Sequence, residues 1–302
     1  MTLLELTTQV CDELALQRPT TVISSTDSQI RQLLALTQRL GRDLCKQFGW
    51  NRLDKEWLIY TKAYTLTGTV TNGSRVITGL SSTSNLSSYF TILGDGIMPF
   101  AQITSVDTST QVTMDMPATQ SGTVSLQFNQ NTFPFPSDYD HEVPQTEWNR
   151  STRWNLQGPK SPQEWQIYKG GIVSVGPRQR FRILNNAIVV NPSPPDGQTI
   201  ALEYQSKAFV IGADNSSKTS FTADTDTCVF SDSLMITGMK TQWKFAKGLD
   251  ASVDLAEFKT LLEQNKAQDK SAPRLFLAQA KGSLLLQPFN VTDGYWPAAS
   301  SN

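Results

Sequence analysis

Residues 133–182 read FPFPSDYDHEVPQTEWNRSTRWNLQGPKSPQEWQIYKGGIVSVGPRQRFR, and the rest of the chain is organised around them. This stretch holds three of the seven tryptophans, the single histidine and six prolines. Polar sequence that is punctuated by proline and carries spaced aromatic rings is atypical of a plain core strand or helix. We therefore expect a structured connector whose rings pack against other parts of the chain.

The composition bounds the class of protein. The chain has 302 residues, of which 38% are hydrophobic and 18% charged, with a net charge of −1. This length favours about two domains. The small net charge argues against nucleic acid or a membrane as the partner of the whole chain, although a local patch stays open. Three distant cysteines predict neither a disulfide framework nor a zinc site and favour a reducing compartment. No apolar run approaches the ~20 residues that span a bilayer, and the first residues do not resemble a signal peptide.

Apolar residues recur at helical spacing near both ends of the chain. The spacing predicts helices over 2–16, 26–49, 232–247 and 251–270. Thr26 and Asp27 are candidate N-caps of the second helix. Four cations decorate that helix: Arg31, Arg39, Arg42 and Lys46. They form either a solvated polar face or a basic face turned toward another subunit or DNA.

The middle of the chain reads as β structure. Strands are predicted over 55–64 and near 89–93, 101–106, 111–115 and 123–128, with a hairpin at Asn72-Gly73. Short strands that follow each other so closely in the sequence favour a small antiparallel sandwich or barrel over 65–128. Its first and last strands would lie near each other, which allows the module to be an insertion in a larger fold.

The region after the module is more varied. Ser161-Pro162, with Glu164 three residues after the serine, predicts a helix start. Alternating runs predict strands over 180–184, 187–191 and 199–204. The polar residues 212–227 predict a mobile loop. The last residues, 283–302, carry one charge and scattered apolar side chains, so they cannot form a core by themselves.

A search for catalytic motifs finds no phosphate-binding loop, dinucleotide fingerprint, nucleophile elbow or zinc-protease motif. The one cluster of interest surrounds His141 with Asp138, Asp140 and Glu142. These residue types suit a metal site or an acid/base pair for glycoside cleavage. A polar connector is the favoured interpretation, because no second cluster could supply further ligands. We therefore predict no catalytic residue, no metal and no cofactor.

The charge distribution along the chain changes sign. No Lys or Arg occurs in residues 76–149, which carry seven acids, whereas residues 150–182 carry seven cations against Glu164 alone, a net of +6. Adjacent segments could pair within one subunit. Alternatively, an acidic edge could meet a basic edge of the next subunit in a closed ring. The candidate interface residues are Asp138, Asp140, Glu142, Glu147, Arg150, Arg153, Arg178, Arg180 and Arg182.

Several motifs then occur in a recognisable order: QRLGRDLC (38–45), PSDYD (136–140), EWNRSTRW (147–154), GPKSPQEW (158–165), GPRQRFRI (176–183) and LEYQSKAFV (202–210). In this order the chain resembles the head-to-tail adaptor (tail tubular protein A-like) family of short-tailed bacteriophages. The resemblance covers 1–64 and 129–270. Separately, residues 68–119, from GTVTNGSRVITGL (68–80) through MPAT (116–119), resemble small β modules that are common in phage structural proteins.

The resemblance implies a structural virion protein at the portal vertex, made in the cytoplasm of the host bacterium. It would form a ring, commonly of twelve subunits, between the portal protein and the tail nozzle, with tail fibre proteins as further partners and no membrane contact. DNA would pass through the ring without sequence recognition. The implied fold is α+β: a discontinuous helical bundle from both chain ends, plus an antiparallel β part with a small inserted β-sandwich or barrel module.

This interpretation divides the chain into four parts. Residues 1–64 and 205–282 form the helical, portal-facing part with an adjoining strand, 65–128 the inserted β module, 129–204 the connector and hairpins, and 283–302 an extended tail. Large aromatic side chains dominate protein contacts, so Phe289, Tyr295 and Trp296 are the candidate portal contacts. Two other functions stay open: a glycan-cleaving tail enzyme that uses Asp138, Asp140 or Glu142, and a carbohydrate-binding tail module built on 65–128.

Overall fold

The computed structural model describes residues 1–170 and 178–270. Within these ranges the α-helices are α1 (Leu3–Glu13), α2 (Ser28–Gln47), α3 (Pro162–Gly170), α4 (Asp232–Ala246) and α5 (Ser252–Asp269). The strands of the first half are β1 (Asp54–Tyr60), β2 (Ala63–Val70), β3 (Val76–Ile77), β4 (Phe90–Gly94), β5 (Ile103–Thr108), β6 (Gln111–Met114), β7 (Gly122–Gln130), β8 (Thr132–Pro134) and β9 (Tyr139–Glu142). Those of the second half are β10 (Trp148–Asn149), β11 (Trp154–Asn155), β12 (Arg180–Leu184), β13 (Ala187–Asn191), β14 (Thr199–Ser206), β15 (Val210–Ile211), β16 (Ser217–Lys218) and β17 (Thr227–Cys228).

The fold class is α+β, as the sequence predicted. Helices combine with several antiparallel sheets, none of which closes into a barrel in the described part of the chain. The chain divides into two compact units. The helical unit contains Met1–Lys55, Ser137–Val143 and 203–270. The β unit contains Glu56–Pro136 and the described part of 144–202.

The helical unit is built around α4, which packs against α1, α2 and α5. Helices from both ends of the chain therefore contribute to one apolar core, together with Phe209, Phe221 and Phe230. Close packing leaves no room at Gly41 of α2, where an added Cβ would lie 2.1 Å from the Phe209 ring. All four helices predicted near the chain ends are confirmed, with differences at their ends.

The first helix is shorter than predicted. A capping box begins it, because Thr2 Oγ1 accepts from Glu5 N and Thr2 N donates to Glu5 Oε2. The helix was predicted to continue to residue 16, but Ala15 already adopts a positive φ of 54°. Leu16 N then donates to Cys11 O, and Ala15 N to Asp12 O, which is the Schellman arrangement. The helix consequently ends at Glu13.

The loop predicted over 212–227 is irregular for most of its length, but it contains one short strand and ends in another. The strands β16 and β17 both pair with β15 in a three-stranded antiparallel sheet. Asp226 lies fully buried beside them and accepts hydrogen bonds from Lys218 Nζ at 2.8 Å and from Thr222 N and Ala223 N. Asp224 likewise accepts from Thr21, Val22 and Ile23. These hydrogen bonds hold the polar segment in place, together with Phe221, which is buried in the core of the helical unit.

The β module occupies the first part of the β unit. Two three-stranded sheets, β2-β7-β4 and β3-β6-β5, contribute to one apolar core. The first and last strands of the module pair from Ala63↔Asn129 to Val70↔Gly122, which confirms that its ends are adjacent. The chain reverses at Asn72-Gly73 as predicted, but β2 and β3 meet only at the Thr69↔Thr78 bridge. The main partner of β3 is β6.

The connector contains a helix and several short strands. Ser161 Oγ accepts from Glu164 N, and Glu164 Oε2 accepts from Ser161 N, so the predicted helix start is confirmed as α3. Trp165 of α3 is buried, at 2% exposure. The strands β12, β13 and β8 form an antiparallel sheet, and β10 pairs with β11 and β14. The aromatic rings of the connector thus pack as the sequence indicated.

The boundaries of the two units differ from the predicted parts. Residues 137–143 belong to the helical unit, because β9 pairs with the end of β14 at Tyr204, Gln205 and Ser206. The rest of the predicted connector belongs with the β module. No helix within residues 1–170 or 178–270 is both long and apolar enough to cross a bilayer.

Candidate subunit-interface residues

Asp138 is a structural carboxylate of the helical unit. It accepts hydrogen bonds from Lys55 Nζ at 2.7 Å, Ser206 Oγ at 2.7 Å and Tyr204 OH at 3.0 Å. Burial alone would raise the pKa of Asp138, but these three donors outweigh it and hold the pKa below the usual range. The side chain is therefore ionised near neutral pH and committed to partners on β1 and β14.

The other acids of the histidine cluster have separate partners. Asp140 contacts His141 Nδ1 at 2.8 Å, and Glu142 accepts from Tyr139 OH at 2.9 Å. Asp138 therefore shares neither contact. Within the part of the chain that the structure describes, no group of three His, Cys, Asp or Glu side chains could hold a metal ion. A glycosidase also needs one carboxyl group that keeps its proton, and the lowered pKa of Asp138 does not suit that role.

Glu147 does not belong to the candidate surface. Its side chain is 3% exposed, and its backbone carbonyl accepts from Leu156 N at 2.9 Å. The sequence placed it with the exposed acids because a glutamate among polar residues carries no sign of burial. We correct the candidate set by removing it.

Three of the candidate arginines already have partners in the β unit. Arg150 forms an ion pair with Glu56. The guanidinium carbons of Arg178 and Arg180 lie 5.6 Å and 4.3 Å from the ring centres of Trp154 and Tyr168. Stacked guanidinium groups remain charged and can still donate at their edges. Arg150 pairs with a residue outside the acidic span, so it does not follow the predicted pairing of adjacent segments.

Arg153 and Arg182 differ from the other arginines. Arg153 is exposed in a turn with a positive φ of 58°, and Arg182 lies on β12, half-buried. Neither side chain has a hydrogen bond, ion pair or ring contact within residues 1–170 and 178–270. Strand alternation places Arg182 on the same face of β12 as Arg180. These two cations are the best placed to contact another molecule.

The division into units also separates the candidate set. Asp138, Asp140 and Glu142 belong to the helical unit, whereas the five arginines belong to the β unit. In the sequence, by contrast, the acids and the arginines lie in two adjacent segments. The candidate portal contacts Phe289, Tyr295 and Trp296 lie outside the described residues.

Sequence reasoning missed an apolar groove on the helical unit. The groove has a volume of about 460 Å³ and lies between α2, α4 and α5, lined by Leu36, Leu40, Gly238, Phe245, Leu255 and Phe258. One of these lining side chains, Phe245, is 56% exposed. Gln242 also lines it, and its buried Oε1 accepts no hydrogen bond within the described part of the chain. Helical periodicity predicted these apolar residues, but it could not tell which would stay uncovered.

Comparison of the chain with protein-family models and with curated proteins finds no match.

Proposed function

We propose that this chain is a structural adaptor that forms a ring between the portal and the tail nozzle of a short-tailed bacteriophage. One observation carries the proposal: helices from both chain ends contribute to one core, while the intervening chain forms a separate β unit. This agrees with the discontinuous helical bundle and inserted β part that the sequence resemblance implies. In the proposal, the two sheets of residues 65–128 form the inserted sandwich.

The apolar groove on the helical unit supports a docking role. Exposed apolar patches flanked by polar residues mark contact sites on soluble proteins. Here Phe245 lines the groove and is 56% exposed, so its ring is available to a partner. In the proposal this surface meets the portal. The tail residues 283–302, with Phe289, Tyr295 and Trp296, add to that contact.

The arginines support a ring. A heterologous interface joins two different edges of identical subunits. Arg153 and Arg182 have no partner within the described residues, so the basic edge of the proposed interface rests on them more than on Arg150. The acids Asp140 and Glu142 would belong to the opposite edge, and DNA would pass through the centre of the ring.

The ring proposal is tested by reversing Arg153 and Arg182 to Glu. Sedimentation of the assembled complex at moderate salt should show loss of the ring, because each interface would then bring like charges together. Reversal of Arg75 and Lys62, two exposed cations of the β unit outside the candidate set, should leave the ring intact. Full assembly of the Arg153→Glu/Arg182→Glu variant would reject the charged interface.

Deletion of 283–302 tests the tail. The shortened chain should fail to bind the portal while it keeps the helical content of the full chain. Unchanged binding would remove the tail, with its three aromatic residues, from the proposed contact.

A further inference from the structure

A second cavity, of about 360 Å³, lies wholly within the helical unit. It is lined by side chains from four parts of the chain: Arg42 and Lys46 of α2, Asp140 of β9, Lys207 just after β14, and Thr219 and Ser220. These residues are far apart in the sequence, and the fold brings them together. Ligand-binding cavities commonly have this size and mix charged with neutral groups.

The cavity carries an excess of positive charge. Its three cations have no carboxylate within ion-pairing distance in residues 1–170 and 178–270, whereas Arg39, one turn earlier on α2, pairs with Asp43. Asp140 is the one acid of the lining, and its carboxylate contacts His141 Nδ1 at 2.8 Å. Three like charges around one cavity repel each other, and an anion bound among them would replace this repulsion with attraction.

The neutral groups of the cavity suit an anionic ligand. Thr219 and Ser220 provide hydroxyl groups that have no hydrogen-bond partner in the described part of the chain. The buried Cys45 thiol also lines the cavity. Burial, reinforced by the charge of Asp140, raises the pKa of Cys45 to about 12. The thiol therefore stays neutral and does not repel an anion.

We propose that this cavity binds a phosphate group, with Arg42, Lys46 and Lys207 as the cationic ligands. The planar Arg fork can donate to two phosphate oxygens at once, and each Lys acts as a point charge. The hydroxyl groups of Thr219 and Ser220 donate to the remaining oxygens. Free phosphate esters and the backbone of a nucleic acid present the same group. The proposal goes beyond the adaptor function and does not depend on it, since binding is measured on the isolated chain.

The test uses the full chain at low salt, about 50 mM, because screening weakens exposed charge contacts. Calorimetry compares AMP with adenosine, so that any difference reports the phosphate group. Fluorescence anisotropy measures a labelled DNA duplex with and without added inorganic phosphate. The variants are Arg42→Gln/Lys46→Gln and, independently, Lys207→Gln. Arg31→Gln is the matched control, because Arg31 is exposed on α2 and does not line the cavity.

We expect the wild type to bind AMP at least about tenfold more tightly than adenosine, which corresponds to about 1.4 kcal/mol. Each cavity variant should lose most of that difference, and Arg31→Gln should keep it. Tighter binding of the duplex than of AMP, with a salt dependence that the variants reduce, would identify a nucleic-acid backbone. Equal binding would identify a free phosphate ester. No preference for AMP over adenosine, or an equal loss in Arg31→Gln, would overturn the proposal.

Discussion

At the scale of single residues, Asp226 holds together the polar segment that the sequence predicted to be a mobile loop. Replacing it with Ala would remove the ion-pair partner of the partly buried Lys218 ammonium, which would keep only Thr222 Oγ1 at 2.9 Å, and would leave the N–H groups of Thr222 and Ala223 without this acceptor. Leaving a buried charge unpaired costs about 3 kcal/mol. We expect Asp226→Ala to lower the free energy of unfolding by that amount in urea titrations followed by circular dichroism. Glu257→Ala, an exposed change on α5, should stay within about 0.5 kcal/mol of the wild type; a loss for Asp226→Ala that is equally small would contradict this role.

The same residue makes stability depend on pH. Burial by itself would raise the pKa of Asp226, but the hydrogen bonds from Lys218, Thr222 and Ala223 outweigh it and lower the pKa. An unfolded Asp titrates near pH ~3.9. The stabilisation is therefore present above that pH and is lost as the pH falls through the lower folded pKa. The difference in unfolding free energy between wild type and Asp226→Asn should shrink between pH ~5 and pH ~2. A difference that is constant over this range would contradict the assignment.

At the scale of elements, the β module is complete in itself. Its core is formed by its own two sheets, and its end strands pair along their whole length. We expect a fragment of residues 62–131 to fold independently, with cooperative thermal unfolding and dispersed amide resonances. A size of about 70 residues is sufficient for many small domains. Collapsed resonances and strong binding of a hydrophobic dye would show that the module needs the rest of the chain.

The groove between α2, α4 and α5 gives a second prediction at this scale. Phe245→Asp changes an exposed side chain that lines the groove, so the thermal midpoint should hardly move. Portal binding, measured by surface plasmon resonance, should weaken at least about tenfold, because a charge would enter an apolar contact. Ile167→Asp is the matched control, since Ile167 is 69% exposed but lies in the β unit. Equal weakening by both variants would reject the groove as the docking surface.

The sequence predicted most of the elements but fewer of their partners. Helical spacing was enough for α1 and α2, because one apolar face repeats along each. The pattern is weaker in α4 and nearly absent in α5, which buries Asp254 and Asn265 as well as Leu262.

The spacing of apolar residues was not enough for 212–227, where buried carboxylates such as Asp226 replace an apolar pattern. The burial of Glu147 was hidden for the same reason. Lys207 and Arg42 line one cavity only because the fold brings α2 beside the end of β14.

At the scale of the whole molecule, the proposed function is assembly with other proteins rather than catalysis of a reaction. The helical unit offers an apolar groove, and the β unit offers Arg153 and Arg182, which have no partner among the residues that the structure describes. In the proposed adaptor these surfaces have different partners, the portal and the neighbouring subunit. The charge pattern of the sequence suggested the charged surface of the β unit. The apolar groove could be identified only from the packing of α2, α4 and α5.

The proposed adaptor function is tested most directly by the mass of the purified chain with and without the portal protein that the proposal gives it as a partner. Native mass spectrometry should find a portal complex that carries a fixed multiple of this chain, about twelve copies if the resemblance holds. The Phe245→Asp variant should load fewer copies onto the portal at the same concentration. A portal that keeps its own mass in the presence of excess wild-type chain would contradict the adaptor function.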